Sequence, residues 1–231
     1  MSSDRRDKVK GRFISFEGGE GTGKSTQAHR LAERLRAEGH AVTVTREPGG
    51  TPGAEIVRRA VIDGRARALG PLAEAVLMNA ARDDHLNEVI RPALAEGRWV
   101  ICDRFADSTR AYQGALGGLD DRLVDALARA VVDGTWPDLT VILDLDPEIG
   151  LARAQQTTLA ASGLAQDRFE AESLDQHHVL REAFLSIAAA APERCVIVDA
   201  SGSEDAIAEA VWDHVSGRLL KGIPAGAGET N

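Results

Sequence analysis

Residues 13–26 read FISFEGGEGTGKST: a mostly apolar run from Phe13 to Glu17, a glycine-rich stretch from Gly18 to Gly23, and then Lys24, Ser25 and Thr26. Gly18, Gly23, Lys24 and Ser25 satisfy the pattern G-x-x-x-x-G-K-[ST]. The glycines allow backbone conformations in which successive N–H groups turn toward one anion, and a helix starting at Lys24 adds the positive end of its dipole. A lysine at this position reaches the β- and γ-phosphates of a nucleotide, and the following hydroxyl ligates Mg²⁺. Gly18, Gly19, Glu20, Gly21, Thr22, Gly23, Lys24, Ser25 and Thr26 are therefore the expected phosphate cradle, with Mg²⁺ expected at Ser25.

Working outward, four more short runs have the same character: Ala41–Thr45, Trp99–Asp103, Leu139–Leu145 and Cys195–Asp199. They are apolar almost throughout rather than alternating, as strands buried on both faces are. Helical periodicity separates them. Leu31, Ala32 and Leu35 share a face before Gly39, and Ile56, Val57, Ala60 and Val61 mark a helix ended by Gly64. A long helix is expected from Leu72 to Glu96, bent at Pro92, with others at Leu123–Val131 and near 172–190 and 204–220. Alternation of this kind predicts a single α/β domain over residues 1–231, a five-stranded parallel sheet with helices on both faces. Ligands then bind at the carboxyl ends of the strands. The uncharged stretch Gln155–Gln166 reads as a loop between two helices, and residues 1–10 and 222–231 as flexible tails.

The chain has 231 residues, 43% of them hydrophobic, with 27 Lys+Arg against 36 Asp+Glu and a net charge of −9. A surface this acidic has no electrostatic footprint for nucleic acid. No apolar run approaches the roughly 20 residues that cross a bilayer, so no membrane partner is expected. The only cysteines, Cys102 and Cys195, lie inside apolar runs and read as buried thiols of a cytoplasmic protein. A signalling GTPase needs a lysine in its guanine-reading N-K-x-D motif, and no lysine occurs between Lys24 and Lys221. A small kinase remains, with a second substrate docked opposite the phosphate loop.

Five further stretches, in order, resemble the thymidylate kinases, P-loop enzymes that phosphorylate dTMP. They are Thr45–Thr51 (TREPGGT), Ala80–Arg82, Asp103–Phe105 (DRF), Asp107–Gly114 (DSTRAYQG) and Asp167–Glu170 (DRFE). The resemblance extends over nearly all of residues 12–220. It implies a three-layer P-loop NTPase fold with a small lid near 153–168, transfer of the γ-phosphate of MgATP to dTMP, and a homodimer packed through helices.

The acceptor in such a reaction is a phosphate oxygen, already ionised near pH 7 because its second pKa is about 6, so it needs cations rather than a general base. Arg104, at the end of a predicted strand, is placed to clamp the acceptor phosphate bidentately. Asp103, ending the same strand, is the expected Mg²⁺ organiser. The resemblance adds Arg58 as a second phosphate clamp, Glu20 near the acceptor sugar and phosphate, and Glu47 among the substrate-binding residues. By the same resemblance Arg82 and Gln113 hydrogen-bond the thymine edge and Thr109 lines the pocket floor.

Two departures from the family pattern are visible. Met78 stands where an aromatic commonly stacks on the base, although methionine also packs on aromatic faces. The phosphate loop has no arginine at Gly21 or Thr22, and glutamines occupy positions 155 and 156 where lid arginines are usual. Arg153 is then the expected transition-state arginine, with Arg168 next. Two rivals are a deoxynucleoside kinase, in which Glu47 would deprotonate a 5′-hydroxyl, and a non-catalytic ATP-binding module. His177 and His178 are expected on a solvated helix face.

Overall fold

The computed structural model describes residues 11–160 and 172–221. Five strands form one sheet: β1 (Phe13–Glu17), β2 (Val42–Arg46), β3 (Trp99–Asp103), β4 (Leu139–Asp144) and β5 (Cys195–Asp199). All pair in parallel in the order β2-β3-β1-β4-β5. Each strand begins and ends within one residue of its expected limit. The periodicity of two sends alternate side chains to opposite faces. Ile14, Phe16, Ile101, Val141 and Leu143 join one apolar cluster, while Phe13, Val100 and Cys102 join another on the reverse side. Cys102 and Cys195 are buried free thiols.

Helices cover both faces. In chain order they are α1 (Lys24–Ala37), α2 (Pro52–Ile62), α3 (Gly70–His85), α4 (Arg91–Ala95), α5 (Ala106–Thr109), α6 (Asp121–Val132), α7 (Pro147–Ala160), α8 (Leu174–Ala190) and α9 (Glu204–Val215). α1 and α9 pack together over the first cluster, and α8 seals Ile142 and Cys195 with Leu180 and Phe184. Several helices start where short polar side chains satisfy their first N–H groups. Thr51 accepts from Ala54 N at 3.0 Å, Ser203 accepts from Ala206 N at 3.2 Å, and Ser173 with Gln176 forms a capping box on α8. α1 differs: its N-cap is Gly23 at φ 89°, and no side chain caps its first turn. Its leading N–H groups therefore face the loop before it, the arrangement that favours an anion.

Two local expectations change. The helix expected to bend at Pro92 runs from Gly70 to Ala95 with a π-helical turn at Leu86–Ile90, just before the proline that lacks an N–H. Gln155 to Ala160, expected in a loop, continue α7. The remainder of the proposed lid, including Arg168 and the DRFE stretch, and both tails lie outside the described residues. Residues 106–116, which carry no clear apolar period, are helical as α5 and a following π-helical segment at Arg110–Leu116.

Candidate active site

A cavity of about 450 Å³ opens beside the phosphate loop and the carboxyl end of β3. That is within the usual range for a small-molecule site, and it lies where the sheet order changes direction from β1. Its wall carries five cations (Lys24, Arg46, Arg58, Arg104, Arg153) and three carboxylates (Glu20, Glu47, Asp103). A chain of net charge −9 thus concentrates positive charge in the cleft beside the phosphate loop. Such a cleft selects an anionic ligand.

On the phosphate-loop side, Lys24 Nζ donates to Gly19 O at 2.6 Å and to Thr22 Oγ1 at 3.3 Å. Burial, with the nearby Arg104 charge, lowers the Lys24 pKa to about 8 despite the opposing Glu20 and Asp103. Ser25 Oγ donates to Asp103 Oδ2, joining the start of α1 to the end of β3. The absence of an arginine at position 21 has a steric cause. Gly21 has φ +66°, and a Cβ there would lie 1.8 Å from the carbonyl oxygen of Gly150 on α7. A Cβ on Gly150 would in turn meet Glu20 O at 2.4 Å. Two glycines let the phosphate loop and α7 touch backbone to backbone.

On the opposite side stands Arg104, whose φ of 69° is in the left-handed region that L-residues other than glycine rarely adopt. Its guanidinium donates to Glu20 Oε1 at 2.7 Å and Gly18 O at 3.2 Å, and sits 5.1 Å from the Tyr112 ring centroid. The Tyr112 hydroxyl donates to the same Glu20 oxygen at 2.6 Å. Burial alone would raise the Glu20 pKa, but Arg104, Lys24 and the Tyr112 hydrogen bond outweigh it and hold the carboxylate at about 2. For Arg104, burial is likewise outweighed, mainly by Glu20, and its pKa rises. Glu20, unexpected beside phosphates on charge alone, is the counter-ion of Arg104.

The remaining expected residues divide. Met78, packed with Val61 and Ala66, lines the cavity, as do Gln113, Arg58, Glu47 and Arg153. Gln113 Nε2 reaches Glu74 Oε2 at 3.5 Å, while its Oε1 is buried without a hydrogen-bond partner among the described residues. Arg58 Nη1 donates to Pro48 O at 3.0 Å, just after the cis Glu47–Pro48 peptide. Arg153 Nη1 donates to Ala200 O at 2.9 Å, which ties α7 to the end of β5. Arg82 and Thr109 lie behind the wall. Arg82 is 1% exposed and donates to Glu47 Oε2 at 2.8 Å, Asn79 Oδ1 at 3.1 Å, Thr109 Oγ1 at 3.0 Å and Phe105 O at 3.2 Å. The other Glu47 oxygen meets His85 Nδ1 at 3.1 Å.

A model of the family described as "Thymidylate kinase" matches residues 16–211. The chain belongs to the thymidylate kinase family. It is 54% identical over 219 residues to the thymidylate kinase of Bradyrhizobium diazoefficiens, covering 95% of each chain. It is 51% identical over 218 residues to that of Afipia carboxidovorans, covering 94% of each. Among solved structures, the thymidylate kinase of Ehrlichia chaffeensis superposes with a TM-score of 0.71 at 34% identity, over 90% of this chain and 99% of that one.

Within this thymidylate kinase site, several residues carry no motif signal. Tyr112 and Ser108 were visible only as members of a longer stretch, and Arg46 only as part of a loop. Glu17 offered one clue, an acid ending a strand that is otherwise buried. His177 does not lie on a solvated face: it is 4% exposed, and burial lowers its pKa.

Because position 104 is left-handed, Arg104→Gly should be more stable than Arg104→Ala by about 1 kcal/mol in urea denaturation, with both variants losing activity. Burial first, and then Asp107, push the Glu17 pKa from 4.5 up to about 8, against Ser108, Arg104 and the Phe105 N–H. Lys24 and Arg194 also feel its charge. The folded state therefore holds a proton that the unfolded chain releases across this interval. The stability this contributes is complete below pH 4.5 and is lost as pH rises through about 8. Melting temperatures of the parent relative to Glu17→Gln should fall steadily between about pH 5 and pH 8.

Proposed function

We propose that the protein is a dTMP kinase that transfers the γ-phosphate of ATP to dTMP, giving dTDP and ADP. The observation that carries this reading is the pairing, across one cavity, of a phosphate loop with the Arg104–Glu20–Tyr112 cluster and a cleft wall rich in cations. Two anions must approach in line, so the chemistry asks for positioning and positive charge. The backbone of Gly18–Thr26 and Lys24 would hold the donor phosphates. Arg104, with Arg58, would hold the acceptor phosphate, and Glu20 with Tyr112 would orient the Arg104 guanidinium.

Ser25 and Asp103 place a hydroxyl and a carboxylate oxygen side by side at the foot of α1, a hard-oxygen donor set that suits Mg²⁺. Mg²⁺ bound there would neutralise charge on the β- and γ-phosphates. Among the described residues no group of three or more His, Cys, Asp or Glu could hold a metal by itself, in keeping with an ion that arrives with the nucleotide.

For the base, Met78 offers an adaptable apolar contact and the unpartnered Gln113 oxygen offers an acceptor, which a thymine ring N–H would satisfy. Arg82 supports that pocket from behind through Thr109 and Glu47. Arg153 on α7 would contact the transferring phosphate.

Glu47 speaks against a hydroxyl acceptor. Both its oxygens are engaged, by Arg82 and by His85, and it is 5% exposed, so it is poorly suited to act as a free general base. A homodimer is supported by the exposed apolar side chains Leu69, Leu72, Val76 and Leu123, around α3 and α6. No described helix is long and apolar enough to cross a membrane, which fits a cytoplasmic enzyme of soluble nucleotides.

An ADP-release assay with MgATP should show turnover with dTMP, with dUMP far behind and thymidine inactive. In the same assay Arg153→Ala should lower kcat on the order of 10³-fold. Turnover on thymidine but not dTMP would overturn the reading, and a kcat within about threefold of the parent would remove Arg153 from the reaction.

A further inference from the structure

Glu17 stands out because it is an acid with no exposed surface at the end of the central strand, where a lone polar group is costly unless it is hydrogen-bonded. Both its oxygens go to one short segment. Phe105 N donates to Oε1 at 2.8 Å and Ser108 Oγ donates to Oε2 at 2.6 Å. That segment follows directly on Arg104 and its left-handed backbone. The neighbours of Glu17 in β1 and the phosphate loop hold the rest of the arginine: Phe16 O accepts from Arg104 N at 2.9 Å, and Gly18 O accepts from its guanidinium at 3.2 Å. Three consecutive residues, Phe16, Glu17 and Gly18, thus hold the backbone, the following turn and the side chain of Arg104.

We infer that Glu17 is a positioning residue for Arg104, its buried carboxyl holding the Phe105–Ser108 turn so that the guanidinium aims at the acceptor phosphate. The inference rests on the dTMP kinase reading above. The carboxyl lies among Asp107, Arg104, Lys24 and Arg194, and burial together with Asp107 keeps it largely protonated at neutral pH. A neutral amide keeps one oxygen for the Phe105 N–H and turns an N–H toward the Ser108 hydroxyl, which then accepts instead of donating. An apolar side chain of similar length fills the space but leaves the Phe105 N–H unsatisfied.

The test is calorimetric binding of dTMP and of thymidine, which differ only in the phosphate. The proteins are the parent, Glu17→Gln, Glu17→Met, Arg104→Ala and the Glu17→Met/Arg104→Ala double variant. Folding of each is checked by thermal melting. Glu17→Met should weaken dTMP at least fivefold while thymidine changes less than twofold, and Glu17→Gln should stay within threefold of the parent for both. In the Arg104→Ala background, adding Glu17→Met should change dTMP affinity less than twofold, since the residue acts through Arg104. Equal weakening of dTMP and thymidine, an unchanged dTMP affinity in Glu17→Met, or the same loss with Arg104 absent would each overturn the inference. Should Glu17→Met fail to fold, Glu17→Gln decides, a fivefold loss of dTMP affinity overturning it. A parent that turns over no dTMP removes the kinase reading and this inference together, whereas an active parent with failing variants removes the inference alone.

Discussion

One arginine held in a backbone conformation that suits glycine organises the active site. Arg104 directly follows β3 at φ 69°, and its side chain spans from the phosphate loop at Gly18 to the Glu20–Tyr112 pair. A partly buried guanidinium is stabilised by a counter-ion and satisfied N–H groups. Glu20 supplies the charge and Gly18 O accepts a further hydrogen bond. The strain of the backbone persists because Phe16, Glu17 and Gly18 fix the segment from three directions. On the proposed reading, the same short stretch of chain that would cradle the donor phosphates also holds the residue that would clamp the acceptor, and β1 would couple the two halves of the reaction geometrically.

A second coupling links the loop to α7. Gly21 and Gly150 approach so closely that neither accepts a side chain, and Arg153 lies less than one helical turn further along α7. On the proposed reading, the arginine that cannot be placed at position 21 would have its counterpart in Arg153, on the helix that excludes it. The ion pair of Arg82 with Glu47 has a quieter role. It joins the long helix to the loop after β2, and Arg82 also buttresses Thr109 behind the cavity wall.

The sheet was legible because fully buried parallel strands are apolar at nearly every position, and the phosphate loop because few sequences place four glycines, a lysine and a hydroxyl in that order after a strand. Lys24, Ser25, Asp103 and Arg104 follow from the same two signals, since each closes or opens an element at the sheet's carboxyl end. What stayed hidden depends on tertiary contacts. α5 and the π-helical segment after it contain Ser108, Thr109 and Gly114, weak helix formers, and are stabilised by hydrogen bonds that Ser108 donates to Glu17 and Thr109 accepts from Arg82, which no local window contains. Gln155–Ala160 lacks a charged face, so its helical continuation from Pro147 gave no periodic signal. His177 shares a polar stretch with His178, yet one turns into the protein and the other outward. Arg82 has the residue type of a base reader but lies beneath the pocket wall, a distinction of depth that spacing on a helix does not reveal.

On the proposed reading Arg104, held in place by Glu20, meets the acceptor phosphate without changing its backbone. A crystal structure of the protein with dTMP bound tests this directly. The dTMP phosphate is expected within hydrogen-bond reach of the Arg104 guanidinium, with the φ of residue 104 still positive and Glu17 still on Phe105 N and Ser108 Oγ. A dTMP phosphate held elsewhere in the cleft, with no contact to Arg104, would contradict it.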